Sequence, residues 1–453
     1  MIFFSPTLKF PTKYPYFNSL HSSSLHTHEI SNYLTYNSSH IDRNIFLFTK
    51  PAIIHHFMVP FVGLVDSFWV SKLSTPFHLA AIGYADNIFF TTYSLFSFIP
   101  TILTPTISQL YAQDNNDEIK NNILISCILT TFLSLISLTL FFKTSFFVSC
   151  FLDKNTIIYE KTIDYLKIRS LSFPFALFNS LIFSIFRGMD FINSAIKINL
   201  LSQLLNLVLD PFMMIKYNIK GVAFSSLLSD ILCCIFYFKL LLKKISFNIP
   251  IHSFKKISIN LFKLGAFVQS KYLLINILYL TINKQLLIVD ATGIQLAAHI
   301  LLGKFLSINN ILYRSLSTSA TTLIPKDIVL KKDKLTKQRL YFWTNILAII
   351  QSILFIQLGN VIHLITKDPK VILICKKIIL TITAYQYIDG INTVQEGILQ
   401  GYQKFKISSI ANVVTLIPLI LILKLTTNIY DIWNLSTSIL LLKTLYLFKR
   451  LKS

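Results

Sequence analysis

A chain of 453 residues that is 53% hydrophobic and 14% charged, with a mean hydropathy of +0.60, is not a soluble protein, whose charged share is roughly 25%. The formal charge of +22 invites a nucleic-acid reading, but most lysines and arginines stand between or at the ends of apolar runs, where they orient a polytopic membrane protein. Five cysteines (Cys127, Cys150, Cys233, Cys234, Cys375) fall in or beside those runs without metal-type spacing, so they define neither a disulfide framework nor a redox compartment.

Residues 1–44 differ from everything after them. Ser, Thr, His, Pro and Tyr dominate, and Glu29 and Asp42 are the only acids. The apolar start, Met1 to Phe4, is too short for a secretory core. An acid-poor, Ser-rich segment suits an organellar, plastid-type transit sequence, although Arg43 is its single arginine. A disordered cytosolic tail is the alternative, with the protein then in the plasma membrane.

From Ile45 onward the pattern predicts an all-α integral membrane protein of about twelve spans. They run approximately 46–71, 79–110, 122–142, 163–186, 195–215, 221–242, 261–288, 296–324, 341–365, 371–399, 405–424 and 429–448. Each approaches or exceeds the roughly 20 residues needed to cross the hydrocarbon. Pro100 and Pro105 interrupt the second. Residues 45–242 hold spans one to six as a first lobe, 243–260 a basic connection, and 261–453 a second lobe of spans seven to twelve. Lys239, Lys243, Lys244, Lys255 and Lys256 follow the sixth span, and Lys326, Lys331, Lys332, Lys334, Lys337 and Arg339 follow the eighth. By the positive-inside rule these connections, with both termini, face the cytoplasm or stroma. Lys367, Lys370, Lys376 and Lys377 on the opposite side weigh against that assignment.

The halves repeat each other. Pro76-Phe-His-Leu-Ala-Ala-Ile-Gly83 opens the second span and Gly293-Ile-Gln-Leu-Ala-Ala-His-Ile300 the eighth, with Leu79 and Leu296 standing 217 residues apart. Ile185-Phe-Arg-Gly188 closes the fourth span and Ile398-Leu-Gln-Gly401 the tenth, with Gly188 and Gly401 standing 213 apart. Two matches at nearly one offset indicate a duplicated six-helix unit. Six spans is an even number, so both copies keep the same orientation and are related by an axis along the membrane normal.

The fifth span carries the chemistry. Gln203, Asn206 and Asp210 recur at intervals of three and four, which places them on one helical stripe within an apolar segment. An ionisable residue inside a span is costly and marks function by default. Pro211 leaves the carbonyl of Leu207 without its helical donor, and such a group needs a cavity, a cation or a polar partner. Carboxylate, amide and loosened carbonyl on one face suit a small cation; an acid at the membrane rim beside an ordinary kink is the plainer alternative. Asp66 lies deep in the first span, where burial penalises its charged form and readies it for proton exchange. Should Asp210 face it, the pair titrates as a unit.

These segments resemble the multidrug and toxin extrusion (MATE) transporters, in their prokaryotic and plastid-type branch. The likeness covers about Pro51 to the C-terminus and rests on Leu64-Val-Asp-Ser-Phe-Trp-Val70, Leu79-Ala-Ala-Ile-Gly83, Phe186-Arg-Gly-Met-Asp190, Asn206-Leu-Val-Leu-Asp-Pro211 and Glu396-Gly-Ile-Leu-Gln-Gly401. The resemblance implies a secondary antiporter of two six-helix lobes that exports small organic compounds, works as a monomer and uses no cofactor beyond H+ or Na+ as coupling ion. It implies a cation site in the first lobe, with Asp66, Asn206 and Asp210 matching its ligands. Ser226 takes the place of a sixth-span Thr across a shortened turn, and Gln203 stands beside the set. Bending of the first helix accompanies the family's cycle; Pro51 and Pro60 are the candidates, Pro51 the better match. Proton and sodium remain equally open, because carboxylate, amide, hydroxyl and carbonyl oxygens suit either.

The second lobe departs from the family pattern. Where some branches carry a seventh-span carboxylate, this chain has Lys271 and Lys284. Asp389, Asn392 and Glu396 make another polar face on the tenth span and, with Lys271, are the candidate lining of a substrate cavity. Lys271 either bridges to Asp389 or Glu396, the favoured reading, or faces the substrate cavity and attracts an anion. His55, His56, His299 and His363 have no ligand spacing with an acid partner and read as packing or interfacial residues. Two rival functions remain. A flippase for lipid-linked precursors on the same superfamily fold would use Lys271 and Lys284. An intramembrane aspartyl protease would use Asp66 and Asp210 as a dyad, but Val65-Asp66 and Leu209-Asp210-Pro211 lack that class's motifs. The expected partners are therefore the bilayer and a small organic substrate, with no nucleic acid and no metal beyond a possible Na+ at Asp66, Asn206 and Asp210; no enzymatic activity is expected.

Overall fold

The computed structural model describes residues 27–73, 76–149, 156–245, 252–290, 292–364 and 368–452, with residues 152, 154 and 366 between them. Residues 1–26 of the compositionally distinct N-terminal segment and 246–251 of the inter-lobe connection lie outside the described residues.

Helices make up nearly all of this. The first lobe contains α1 (Thr27–Leu73), α2 (Pro76–Phe96), α3 (Phe98–Ala112), α4 (Asn116–Ser137), α5 (Thr139–Phe142), α6 (Thr144–Ser149), α7 (Ile157–Ser170), α8 (Phe173–Gly188), α9 (Ile192–Tyr217) and α10 (Ile219–Lys244). The second contains α11 (Phe254–Val289), α12 (Ile294–Val329), α13 (Asp333–Val361), α14 (Pro369–Gly401), α15 (Phe405–Leu423) and α16 (Ile429–Lys452). Among the described residues nine helices are long and apolar enough to cross a membrane alone, and α2 with α3 and α7 with α8 do so as bent pairs. Helix α16 corresponds to the twelfth span expected from the sequence but is not among the helices apolar enough to cross alone. It is 24 residues long but carries Asp431, Lys443, Lys449, Arg450 and Lys452, which explains its weaker apolar signal.

Proline sets both bends. The second span breaks by 43° at Ser97 and the fourth by 48° at Leu171 and Ser172. Pro100 and Pro174 sit three residues beyond Ser97 and Leu171 respectively. Each ring removes an N–H and crowds the carbonyl four residues earlier, at Phe96 and Ser170, where the preceding helix stops. In the second lobe the matching spans, α12 and α14, run 36 and 33 residues as single helices. Pro51 and Pro60 lie inside a continuous α1, Pro51 buried and Pro60 exposed.

The duplication extends to packing. A Cβ on Gly188 would stand 2.9 Å from Ile107 Cβ and 3.1 Å from the Thr104 carbonyl oxygen. A Cβ on Gly401 would meet Ile324 Cβ at 2.8 Å and the Ala320 carbonyl oxygen at 2.9 Å. Ile107 and Ile324 are 217 residues apart, so the same glycine-against-helix crossing seats α8 on α3 and α14 on α12. Left-handed residues recur at the same offsets: Asp114 (φ 53°) with Lys331 (φ 57°), and Asp190 (φ 67°) with Gln403 (φ 56°). Helix α1 bridges the lobes. Thr49 hydrogen-bonds Ser319 at 2.8 Å and His56 bonds Thr318 at 3.0 Å across to α12, while α1 also packs on α9.

Candidate functional site: an acid-lined cavity in the first lobe

Helix α9 positions the site because its two faces differ. Leu201, Leu204, Val208, Phe212 and Ile215 are exposed, as lipid-facing side chains are, whereas Asn206 and Asp210 are buried. The period of 3.6 residues forces this division once an apolar helix carries one polar stripe. The stripe faces a cavity of about 370 Å³ whose walls include Asp66, Gln203, Asn206 and Ser226, together with Asp86, Tyr165, Arg169, Asn179 and Asp230.

Asp66 of α1, in the cavity wall, and Asp210 of α9 are neighbours, their carboxyl groups close enough to act on each other. Asp210 is fully buried and accepts from Ser225 Oγ, which in turn also bonds the Val222 carbonyl at 2.9 Å. Asn206 Nδ2 stands 3.4 Å from both Ser225 Oγ and Ser226 Oγ. Asp66 Oδ1 and Asp210 Oδ2 are buried and take no hydrogen bond among the described residues. Two neighbouring carboxyl groups repel unless a proton or cation lies between them, and a buried acceptor without a donor is costly.

The structure thus brings together Asp66, Gln203, Asn206, Asp210 and Ser226, all singled out from sequence. It adds Ser225, whose hydroxyl, rather than its neighbour's, touches Asp210. Deeper in the same cavity Arg169 donates to Asp230 at 2.9 Å and to Ser172 at 2.5 Å, with its guanidinium 4.2 Å from the Phe89 ring centroid. Asp86 accepts from the Tyr165 hydroxyl at 3.3 Å. Sequence reasoning passed over Asp86, Arg169 and Asp230, although each is an ionisable residue within an apolar span, the signal that identified Asp66.

The polar residues of the second lobe are arranged otherwise. Both oxygens of Glu396 are taken: Lys271 pairs with Oε2, and Lys443 with Oε1 at 2.7 Å. Asn412 donates to the same Oε1 at 3.3 Å and accepts from Lys443 at 2.9 Å. Asp389 instead accepts from Asn310 at 2.7 Å, and Asn392 is buried with its Oδ1 lacking a donor among the described residues. Lys271 therefore selects Glu396 over Asp389, and Lys443, unnoticed in the twelfth span, completes the cluster. Lys284 is exposed. His55 stacks on Phe183 at 4.3 Å between centroids and His299 lies 5.4 Å from Trp433, both as packing residues.

Two six-helix lobes spanning a membrane, with an acid-lined cavity enclosed in one of them, define a polytopic membrane transporter. The MatE family model matches residues 51–212 and again 271–426, once in each lobe, and the chain belongs to that family. It is similar to DNA damage-inducible protein F of Escherichia coli (strain K12), 20% identical over 191 residues; the match spans 42% of each protein. Among solved structures it resembles a MATE transporter in the bent conformation (TM-score 0.82, 17% identity, 91% of this chain and 95% of that one). An outward-facing multidrug-resistance MATE transporter of the MOP superfamily superposes with a TM-score of 0.81 at 18% identity, covering 91% of this chain and 96% of that one. A third, a MOP-superfamily transporter from Pyrococcus furiosus Vc1 described as having a binding pocket of reverse polarity, gives 0.79 at 17% identity, with coverage of 91% and 96%. These likenesses extend the fold over nearly the whole chain.

Proposed function

We propose that this transporter is a proton- or sodium-coupled antiporter that exports small organic compounds, with Asp66 and Asp210 as its coupling groups. One observation carries the reading: two neighbouring carboxyl groups inside a membrane lobe, each with a buried oxygen that takes no hydrogen bond among the described residues. A proton or Na+ relieves both the repulsion and the missing donors. Asn206, Ser225 and Ser226 supply neutral oxygens around it, and Gln203 lines the approach. Binding of the ion and occupation by substrate then compete for the same charge, which is the basis of exchange. The test is transport in proteoliposomes with a panel of organic cations and anions under imposed proton or sodium gradients. Uptake that follows neither gradient contradicts the proposal.

The flippase reading drew on Lys271 and Lys284, but Lys271 is held in an ion pair with Glu396, which also pairs with Lys443, and Lys284 is exposed. For location, the composition of residues 1–44 favours an organellar membrane. A reporter fused to that segment should enter an organelle; a diffuse cytosolic signal would reduce the segment to a tail.

A further inference from the structure

At one end of the molecule two side-chain pairs join the lobes, and the duplication maps them onto each other. Lys326 stands in the last turn of α12 and forms an ion pair with Asp190, two residues past the end of α8. Gln403, two residues past the end of α14, donates to Gln109 in the last turn of α3 at 3.0 Å. Lys326 is 217 residues after Gln109 and Gln403 is 213 after Asp190, the offsets that relate the two lobes. Both pairs join one lobe to the other, so exchanging the lobes exchanges the pairs.

The backbone presents both partners in the same way. Asp190 and Gln403 each adopt the left-handed conformation, at φ 67° and 56°. Behind them Phe191 N–H bonds the Phe186 carbonyl and Lys404 N–H the Leu399 carbonyl, each at 2.8 Å. This six-to-one closure ends a helix and is normally made with glycine at the left-handed position. A side chain there is strained, so neither residue is held by backbone preference.

The pairs differ in strength. Lys326 is only 4% exposed, and its ammonium lies 5.2 Å from the Phe48 ring centroid and 5.6 Å from that of Tyr111. A second-lobe cation is thus seated in a first-lobe socket of one acid and two aromatic rings. The counterpart is a single neutral amide bond, which is intrinsically weaker. Between them Ser108 donates to the Thr322 carbonyl at 2.6 Å, both residues fully buried.

We propose that these pairs form a two-part latch between the lobes, and that the Lys326–Asp190 pair must break for this end to open. Its position at helix termini suits the task, because water replaces the lost contacts as the lobes part. The inference goes beyond the coupling proposal and uses neither substrate nor gradient, so each can fail alone.

The experiment is a distance measurement on the full chain, cysteine-free, with nitroxides at Asp117 and Lys334, exposed residues of the two lobes that are 217 positions apart. Lys326→Met and Asp190→Asn should each raise the ratio of long to short distances about tenfold, as expected for loss of a charge-assisted hydrogen bond. Lys326→Arg should keep the short distance, and the Lys326→Met/Asp190→Asn double variant should match the single ones. Gln109→Ala should shift the ratio less. An unchanged distribution in monodisperse Lys326→Met and Asp190→Asn, or a double variant showing the two shifts summed, overturns the latch. Should Lys326→Met fail to fold, Asp190→Asn against Lys326→Arg decides the question.

Discussion

Asp66 on the first span and Asp210 on the fifth, 144 residues apart in sequence, bring their carboxyl groups close together inside one lobe, and Ser225 hydrogen-bonds Asp210. Removing one charge at nearly constant volume should spare the fold and abolish coupling. Asp66→Asn and Asp210→Asn are each expected to insert normally but to lose gradient-driven uptake. The double variant should be no worse than either alone, because the pair acts as a unit. Wild-type rates in purified, monodisperse Asp66→Asn would exclude this site.

Adjacent serines should behave differently. Ser225 bonds the carboxylate, whereas Ser226, among the described residues, is bonded by Asn206 at 3.4 Å. Ser225→Ala should weaken apparent affinity for the coupling ion by about tenfold, the value of a hydrogen bond to a charged group. Ser226→Ala should change it far less. Concentration dependence of uptake on the driving ion provides the comparison, and the reverse order would reassign the hydroxyl ligand.

The second-lobe cluster should govern stability. Glu396 pairs with Lys271 and Lys443 at once, so Glu396→Gln leaves two ammonium groups without that acid. A loss of about 3–5 kcal/mol is typical when a buried pair is broken from one side. Lys443→Met should cost less, since Lys271 still meets the carboxylate. Thermal unfolding in detergent should therefore rank wild type above Lys443→Met above Glu396→Gln.

Equivalent glycines should fail equivalently. Gly188→Val and Gly401→Val each drive a branched side chain into Ile107 or Ile324 and a backbone carbonyl already within 3.1 Å of a Cβ. Both variants should lower the melting temperature or the yield of folded protein, whereas Gly303→Ala, where an added Cβ meets no heavy atom within 4 Å among the described residues outside its own helix backbone, should do neither. Unaltered stability in Gly188→Val would mean that the α3–α8 crossing is looser than its geometry indicates.

Membrane class, span number and duplication were legible in the residues because the bilayer imposes them. Apolar length, basic flanks and a repeated offset are all local or periodic signals. The polar face of α9 was legible for the same reason, since Gln203, Asn206 and Asp210 fall on one stripe whatever the helix packs against. Those signals say which residues share a face, not what the face meets. The bend at Ser97 was partly visible in Pro100, whereas the bend before Pro174 was missed altogether, because a proline can also stay inside a continuous helix, as Pro211 does, and neighbouring helices decide which outcome holds.

What tertiary structure alone decided is partner choice. Ser225 and Ser226 differ by about 100° around one helix, and only the rotation of α10 against α9 turns the former onto Asp210. Lys271 had two acids on one face of α14 as candidates; α11, packed on α15, brings it to Glu396, and Lys443 arrives from α16. Lys326 reads in the sequence as one more flanking lysine of the positive-inside pattern. It finds Asp190 because the lobes close on each other at that end, a contact between residues 136 positions apart that no local period encodes.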